Sequence, residues 1–128
     1  MKVLLDTCAF LWLVTDDPQT SQLAKEIFLN DDNELLLSAV TGFEIAVKYS
    51  LGKLRLTEPP KEFIANRIQA NALIELPVSM IHTLALQNLP LHHKDPFDRL
   101  LVAQAMVNQI PLLSADQQLS ANDIERLW

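Results

Sequence analysis

Four acidic side chains raise the question of chemistry. Asp6 stops the apolar run Lys2-Val3-Leu4-Leu5, and Glu44 lies inside Thr41-Gly42-Phe43-Glu44-Ile45-Ala46-Val47-Lys48. Asp98 closes Asp95-Pro96-Phe97-Asp98, and Asp116 follows Leu112-Leu113-Ser114-Ala115. Acids at strand ends and in early helix turns differ from those on a solvated helix face, because the backbone aims several of them at one place. Two carboxylates about 4 Å apart repel by roughly 4 kcal/mol at an effective dielectric near 20, against a domain stability of about 5 to 15 kcal/mol. A cluster of four therefore needs protons or cations. At neutral pH hard divalent ions answer that need: Mg²⁺ and Mn²⁺ favour carboxylate and water oxygens, and the few histidines are poorly placed for zinc. Such an ion can polarise a phosphodiester and generate hydroxide from bound water.

Each acid also has a plainer reading. Asp6 precedes Thr7 and suits the N-cap of a helix beginning at about Ala9, a role compatible with metal ligation. Glu44 is spaced for an i,i+4 pair with Lys48, worth a few tenths of a kcal/mol on an exposed face. Gly42, just before it, disfavours a helix by about 1 kcal/mol relative to Ala, which predicts close approach of another group there. In Asp95-Pro96-Phe97-Asp98 the first residue reads as an N-cap and the proline as the first helical position. Asp98, one turn in, is the better candidate to project into a cleft. Asp116 also suits a cap. Capping explains any one of these; four such acids spread between residues 6 and 116 are harder to assign to capping alone.

The elements that must position them follow from the apolar spacing. Residues 2 to 5, 35 to 37, 72 to 76 and 110 to 113 read as short buried strands. Helical spacing covers Thr20 to Leu29, about Ala39 to Tyr49, a stretch opened by Pro59-Pro60 and carrying Phe63, Ile64 and Ile68, Ser79 to about Gln87, and Asp95-Pro96 to about Gln109. Strands alternating with helices predict an α/β fold, a three-layer α/β/α domain on a mostly parallel sheet of four or five strands. Ligands in such folds bind at the carboxyl ends of the strands, where Asp6 and Asp116 fall.

Composition narrows the classes. With 128 residues, 49% of them apolar, one core and one domain over 1–128 suffice. No apolar run reaches the roughly 20 residues that span a bilayer, and Asp6 interrupts the start before a signal-peptide core could form, so no membrane partner and a cytoplasmic location are expected. The lone Cys8 cannot form an internal disulfide and reads as a small buried side chain. A net charge of −6 argues against broad electrostatic adhesion to nucleic acid. Only Gly42 and Gly52 occur, which excludes a glycine-rich phosphate loop. There is no GxSxG elbow. Trp12, among Phe10, Leu11 and Leu13, reads as a core or oligomer contact, and His92-His93 as loop. Among the basic residues, Lys48 and Arg99 neighbour site acids and are the candidates for phosphate contacts.

Four blocks in this order resemble the PIN-domain family, in particular the VapC-type toxins of bacterial toxin–antitoxin pairs. They are Leu4-Leu5-Asp6-Thr7, Ser38 through Lys48, Leu91-His92-His93-Lys94-Asp95-Pro96-Phe97-Asp98-Arg99, and Leu113-Ser114-Ala115-Asp116. The resemblance implies that Asp6, Glu44, Asp98 and Asp116 are the family's acidic positions, which bind Mg²⁺ or Mn²⁺ and activate water for RNA cleavage. It implies supporting roles for Thr7, Ser114 and Asp95, with serine at 114 where the family often has threonine. It further implies an RNA substrate, a homodimer and a cognate antitoxin whose tail would occupy the cleft. The rival readings are a catalytically silent PIN-like module that binds RNA or protein, and an aspartyl-phosphate phosphatase with Asp6 as nucleophile. The phosphatase usually wants a second acid two residues on, where this chain has Cys8.

Overall fold

The computed structural model describes residues 1–90 and 94–128, and the expected loop pair His92-His93 lies outside them. The elements run β1 (Lys2–Leu5), α1 (Thr7–Val14), α2 (Gln22–Leu29), β2 (Glu34–Ser38), α3 (Ala39–Ser50), α4 (Pro60–Asn71), β3 (Ile74–Leu76), α5 (Met80–Ala85), α6 (Pro96–Asn108), β4 (Leu112–Leu113) and β5 (Arg126–Leu127). Short 3₁₀ turns cover Leu86–Asn88 and Gln117–Ala121. The five strands form one sheet in the order β3-β2-β1-β4-β5, and every pairing is parallel. This is the expected α/β/α architecture.

The chain needs a buried centre strand, and β1 supplies it: Val3, Leu4 and Leu5 have no exposed surface. Its alternation sends Val3 and Leu5 into one core with Phe10, Ala24, Ile27, Ile45 and Phe63. Leu4 enters the other core with Val40, Leu101, Val102, Ala105 and Leu112. Helices thus cover both faces, as a parallel sheet requires. After β3 the chain crosses back to lay β4 on the free side of β1, where Asp6 N–H donates to the Leu113 carbonyl at 3.1 Å. The strand order reverses between β1 and β4, and the carboxyl ends there form the crevice in which open α/β sheets place their ligands.

Local differences from the sequence reading have identifiable causes. Strand β3 begins two residues later than expected because Ala72 ends α4 in the left-handed conformation, φ 52°. Helix α1 starts at Thr7, which turns Cys8 outward while Ala9 and Phe10 pack inward, so Cys8 is exposed rather than buried. Gly42 meets no close neighbour: a Cβ there would have nothing within 4 Å. The expected close approach is absent, and nothing in the structure requires glycine at that position.

A buried polar tie joins the layers. Ser38 Oγ accepts from Val40 N–H as the cap of α3 and also donates to Gln104 Oε1 of α6. Gln104 is fully buried, and its Nε2 donates to the Pro77 carbonyl at 3.2 Å. The helices carrying Glu44 and Asp98 are thereby fixed to each other.

Both Ala72 and Gln109 (φ 53°) end helices in the left-handed region without being glycine. Such residues cost about 1 kcal/mol or more in that region. Ala72→Gly and Gln109→Gly should each raise stability by roughly 0.5 to 1 kcal/mol, net of the extra freedom glycine gives the unfolded chain. Urea unfolding monitored by circular dichroism measures this as a higher midpoint at unchanged slope.

Candidate active site

Asp6 sits at the carboxyl end of β1. Its Oδ1 accepts from Ala9 N–H at 2.7 Å, capping α1. It is 5% exposed. Burial pushes its carboxyl from 3.8 up to about 6; the Ser114 and Ala9 bonds oppose the shift, and the charges of Glu44 and Asp116 add to it.

Glu44 is equally buried, on the face of α3 turned to the sheet's end. One carboxylate oxygen, Oε2, lies 2.5 Å from Lys48 Nζ; the other, Oε1, is buried with no hydrogen-bond partner among the described residues. An ionised oxygen left so is costly, and an observed case asks for an unseen partner. The Glu44 bond and nearby Asp95 and Asp98 raise the Lys48 pKa against a smaller effect of burial.

Asp95 is the cap of α6: its Oδ1 accepts from Phe97 N–H at 2.8 Å and Asp98 N–H at 3.3 Å. Asp98 stands in the first turn, half-buried. Asp116 caps the 3₁₀ turn after β4 by accepting from Gln118 N–H at 3.0 Å, and its own N–H donates to Ser114 Oγ at 3.1 Å. Ser114 therefore holds the backbone at Asp116, and it lowers the Asp6 pKa. The Thr7 hydroxyl pairs instead with the Thr41 hydroxyl at 3.1 Å, joining α1 to α3.

All five acids line one cavity of about 370 Å³, together with Thr7, Cys8, Trp12, Lys48 and Ala115. It opens at the reversal of strand order. A larger, more apolar cavity of about 460 Å³ lies between α3, α4 and β3, and Glu75 is the one acid in its lining. The acidic cavity is the one that gathers the candidate site residues. Arg99 is placed elsewhere: its guanidinium donates to the carbonyls of Pro90 at 3.3 Å and Leu89 at 3.5 Å.

Sequence reasoning missed Thr41, Cys8 and Trp12. The Cys8 thiol is pushed up to about 11, by burial and then by Asp6, Asp17 and Glu44, so it is not a ready thiolate. The Trp12 ring packs on Trp128 with centroids 5.8 Å apart. Neither contact leaves a local signal in the sequence, since each depends on which elements meet at the sheet's end.

As the side chains are oriented, no three His, Cys, Asp or Glu groups among the described residues stand close enough to hold an ion. The donor chemistry nonetheless fits a hard divalent cation. Every acid in the cavity offers oxygen, and the buried Glu44 Oε1 has no partner among the described residues.

The chain matches the PIN domain family over residues 3–125. It belongs to that family. Ribonuclease VapC16 of Mycobacterium tuberculosis is 39% identical to this PIN domain over 51 residues, which is 40% of this chain and 36% of the relative's length. Among solved structures the fold is similar to VapBC2 from Rickettsia felis bound to a DNA fragment from its promoter, with TM-score 0.75 and 14% identity over 99% of this chain and 98% of the other. It is also similar to VapBC-1 from nontypeable Haemophilus influenzae, with TM-score 0.64 and 17% identity over 99% and 97%. At these identities the structures speak to the fold alone. No helix among the described residues is long and apolar enough to cross a membrane.

The raised Asp6 pKa makes stability depend on pH in a stated direction. Between about 4 and 6 the folded state holds this proton more tightly than the unfolded chain, so stability falls as pH rises through that window. A shift of about two pKa units corresponds to roughly 3 kcal/mol. Metal-free Asp6→Asn protein should therefore be more stable than wild type at pH 8 by up to that amount, with the gap closing by pH 4. Chemical denaturation in EDTA across this range checks it, and a pH-independent gap would assign the shift to other groups.

Proposed function

We propose that this PIN domain, one domain over residues 1–128, is a metal-dependent endoribonuclease that hydrolyses RNA phosphodiesters and acts as the toxin of a toxin–antitoxin pair. The observation that carries the reading is the convergence of Asp6, Glu44, Asp98 and Asp116 on one cavity at the strand-order reversal, with a Glu44 oxygen unpartnered among the described residues. The 51-residue likeness to a protein named a ribonuclease supports the same chemistry.

Asp6, Glu44 and Asp98 would hold Mg²⁺ or Mn²⁺, with Asp116 as a more peripheral oxygen donor. When bound, the ion would supply the Lewis acidity that polarises a phosphodiester and makes water a nucleophile at neutral pH. The protein's own part is positioning. Asp6 is held by β1 and by the Ala9 bond, so its carboxylate keeps one direction. Asp95 anchors the first turn of α6 and fixes where Asp98 projects. Lys48, at the cavity, is the cation best placed to meet a phosphate. Arg99, bonded to the preceding loop, would reach RNA only beside it.

A homodimer, a cognate antitoxin that covers the cleft, and a cytoplasmic location complete the proposal; they rest on the family resemblance and on the VapBC structures that share the fold. A catalytically silent binding module is the second reading, favoured by the Lys48–Glu44 pair, which already neutralises one acid. A Mn²⁺-dependent rise in Tm that Asp6→Asn removes speaks for the metal site.

Purified protein freed of any partner should cleave single-stranded RNA with Mg²⁺ or Mn²⁺ and lose that activity in EDTA. Asp6→Asn, Glu44→Gln and Asp98→Asn should each lower the cleavage rate at least about a hundredfold, the scale on which losing one group that stabilises a transition state is felt. Asp116→Asn should lower it less. Absence of cleavage across a diverse RNA pool with Mn²⁺ present would sink the nuclease reading.

A further inference from the structure

We infer that Lys48 is the cavity's resident counter-ion, displaced from Glu44 when a divalent cation enters and thereby released to bind the RNA phosphate; this rests on the metal-site reading above. The two oxygens of Glu44 differ: Oε2 holds the Lys48 ammonium at 2.5 Å, while Oε1 is buried and unpartnered among the described residues. In the metal-free protein Lys48 is the cation in contact with this buried carboxylate.

A cation approaching Oε1 would bring two further positive charges beside the ammonium. A cation at Oε1 repels the ammonium at Oε2, and that repulsion pushes away whichever of the two is held less firmly. The side chains decide which: Glu44 is 7% exposed, whereas Lys48 is 44% exposed on a flexible four-carbon stem. The lysine can turn outward; the glutamate cannot follow. Lys48 also lines the cavity and feels Asp95 and Asp98 across it, so on release it remains at the rim where a phosphate would lie. The i,i+4 pair that on an open helix face is worth little becomes an exchangeable contact here, because one partner is buried and the other is not.

The test is the reactivity of the Lys48 amine toward acetic anhydride in the full chain, read by peptide mass spectrometry with and without Mg²⁺, while calorimetry follows Mg²⁺ binding separately. Mg²⁺ should speed Lys48 modification severalfold, relative to Lys2 and Lys25 as internal controls, because the ammonium no longer lies against the buried carboxylate. Glu44→Gln protein should react fast from the start and gain nothing from Mg²⁺. If Mg²⁺ binds and Lys48 stays protected, the displacement is overturned while the metal site stands. If calorimetry shows no Mg²⁺ binding, both fall. In fluorescence anisotropy with single-stranded RNA and Mg²⁺, Lys48→Gln should weaken binding severalfold; unchanged affinity would overturn the phosphate role.

Discussion

Two carboxylates, Asp6 and Glu44, are buried at the end of an otherwise apolar sheet, and the rest of the structure is arranged around that burden. A centre strand whose Val3, Leu4 and Leu5 have no exposed surface leaves Asp6 a route to solvent through the cavity at its own carboxyl end. The return of the chain to the far side of β1 sets Ser114 and Asp116 beside it. The Ser38–Gln104 bond then ties the helices that carry Glu44 and Asp98. Each of these contacts is ordinary; their common effect is to hold like charges together against repulsion.

The apparent rivalry between capping and chemistry dissolves in the geometry. Asp6 and Asp116 both cap, and both also line the acidic cavity. A cap uses one carboxylate oxygen to receive a backbone N–H, which fixes the side chain and leaves the other oxygen to face outward. Capping is thus a means of aiming an acid. Asp95 follows the same rule: its Oδ1 receives two N–H groups at the start of α6, and it lines the cavity beside Asp98.

The sequence was most readable where the physical signal is local. Continuous apolar runs identified β1 and β2, and Asp95-Pro96 marked the start of α6 to the residue. What could not be read depends on partners distant in the chain. Strand β5 has two residues, one of them Arg126, and exists because Leu112 and Ser114 N–H groups find the Glu125 and Leu127 carbonyls. The exposure of Cys8 follows from a helix starting two residues earlier than its apolar spacing suggests. Gly42 carries a propensity cost with no steric need behind it in the structure. The acids themselves were legible as types and positions, but that Glu44 has two unlike oxygens is a fact of packing alone.

The pairing of Trp12 with Trp128 has a consequence for how this protein can be observed. These are the two tryptophans of the chain, and Trp12 also lines the acidic cavity. Indole emission responds to nearby charge and to the polarity of its surroundings, so a change in the cavity's charge is reported by the intrinsic fluorescence of the unlabelled molecule. Occupancy of the cleft, by an ion or by another chain, carries its own optical signal.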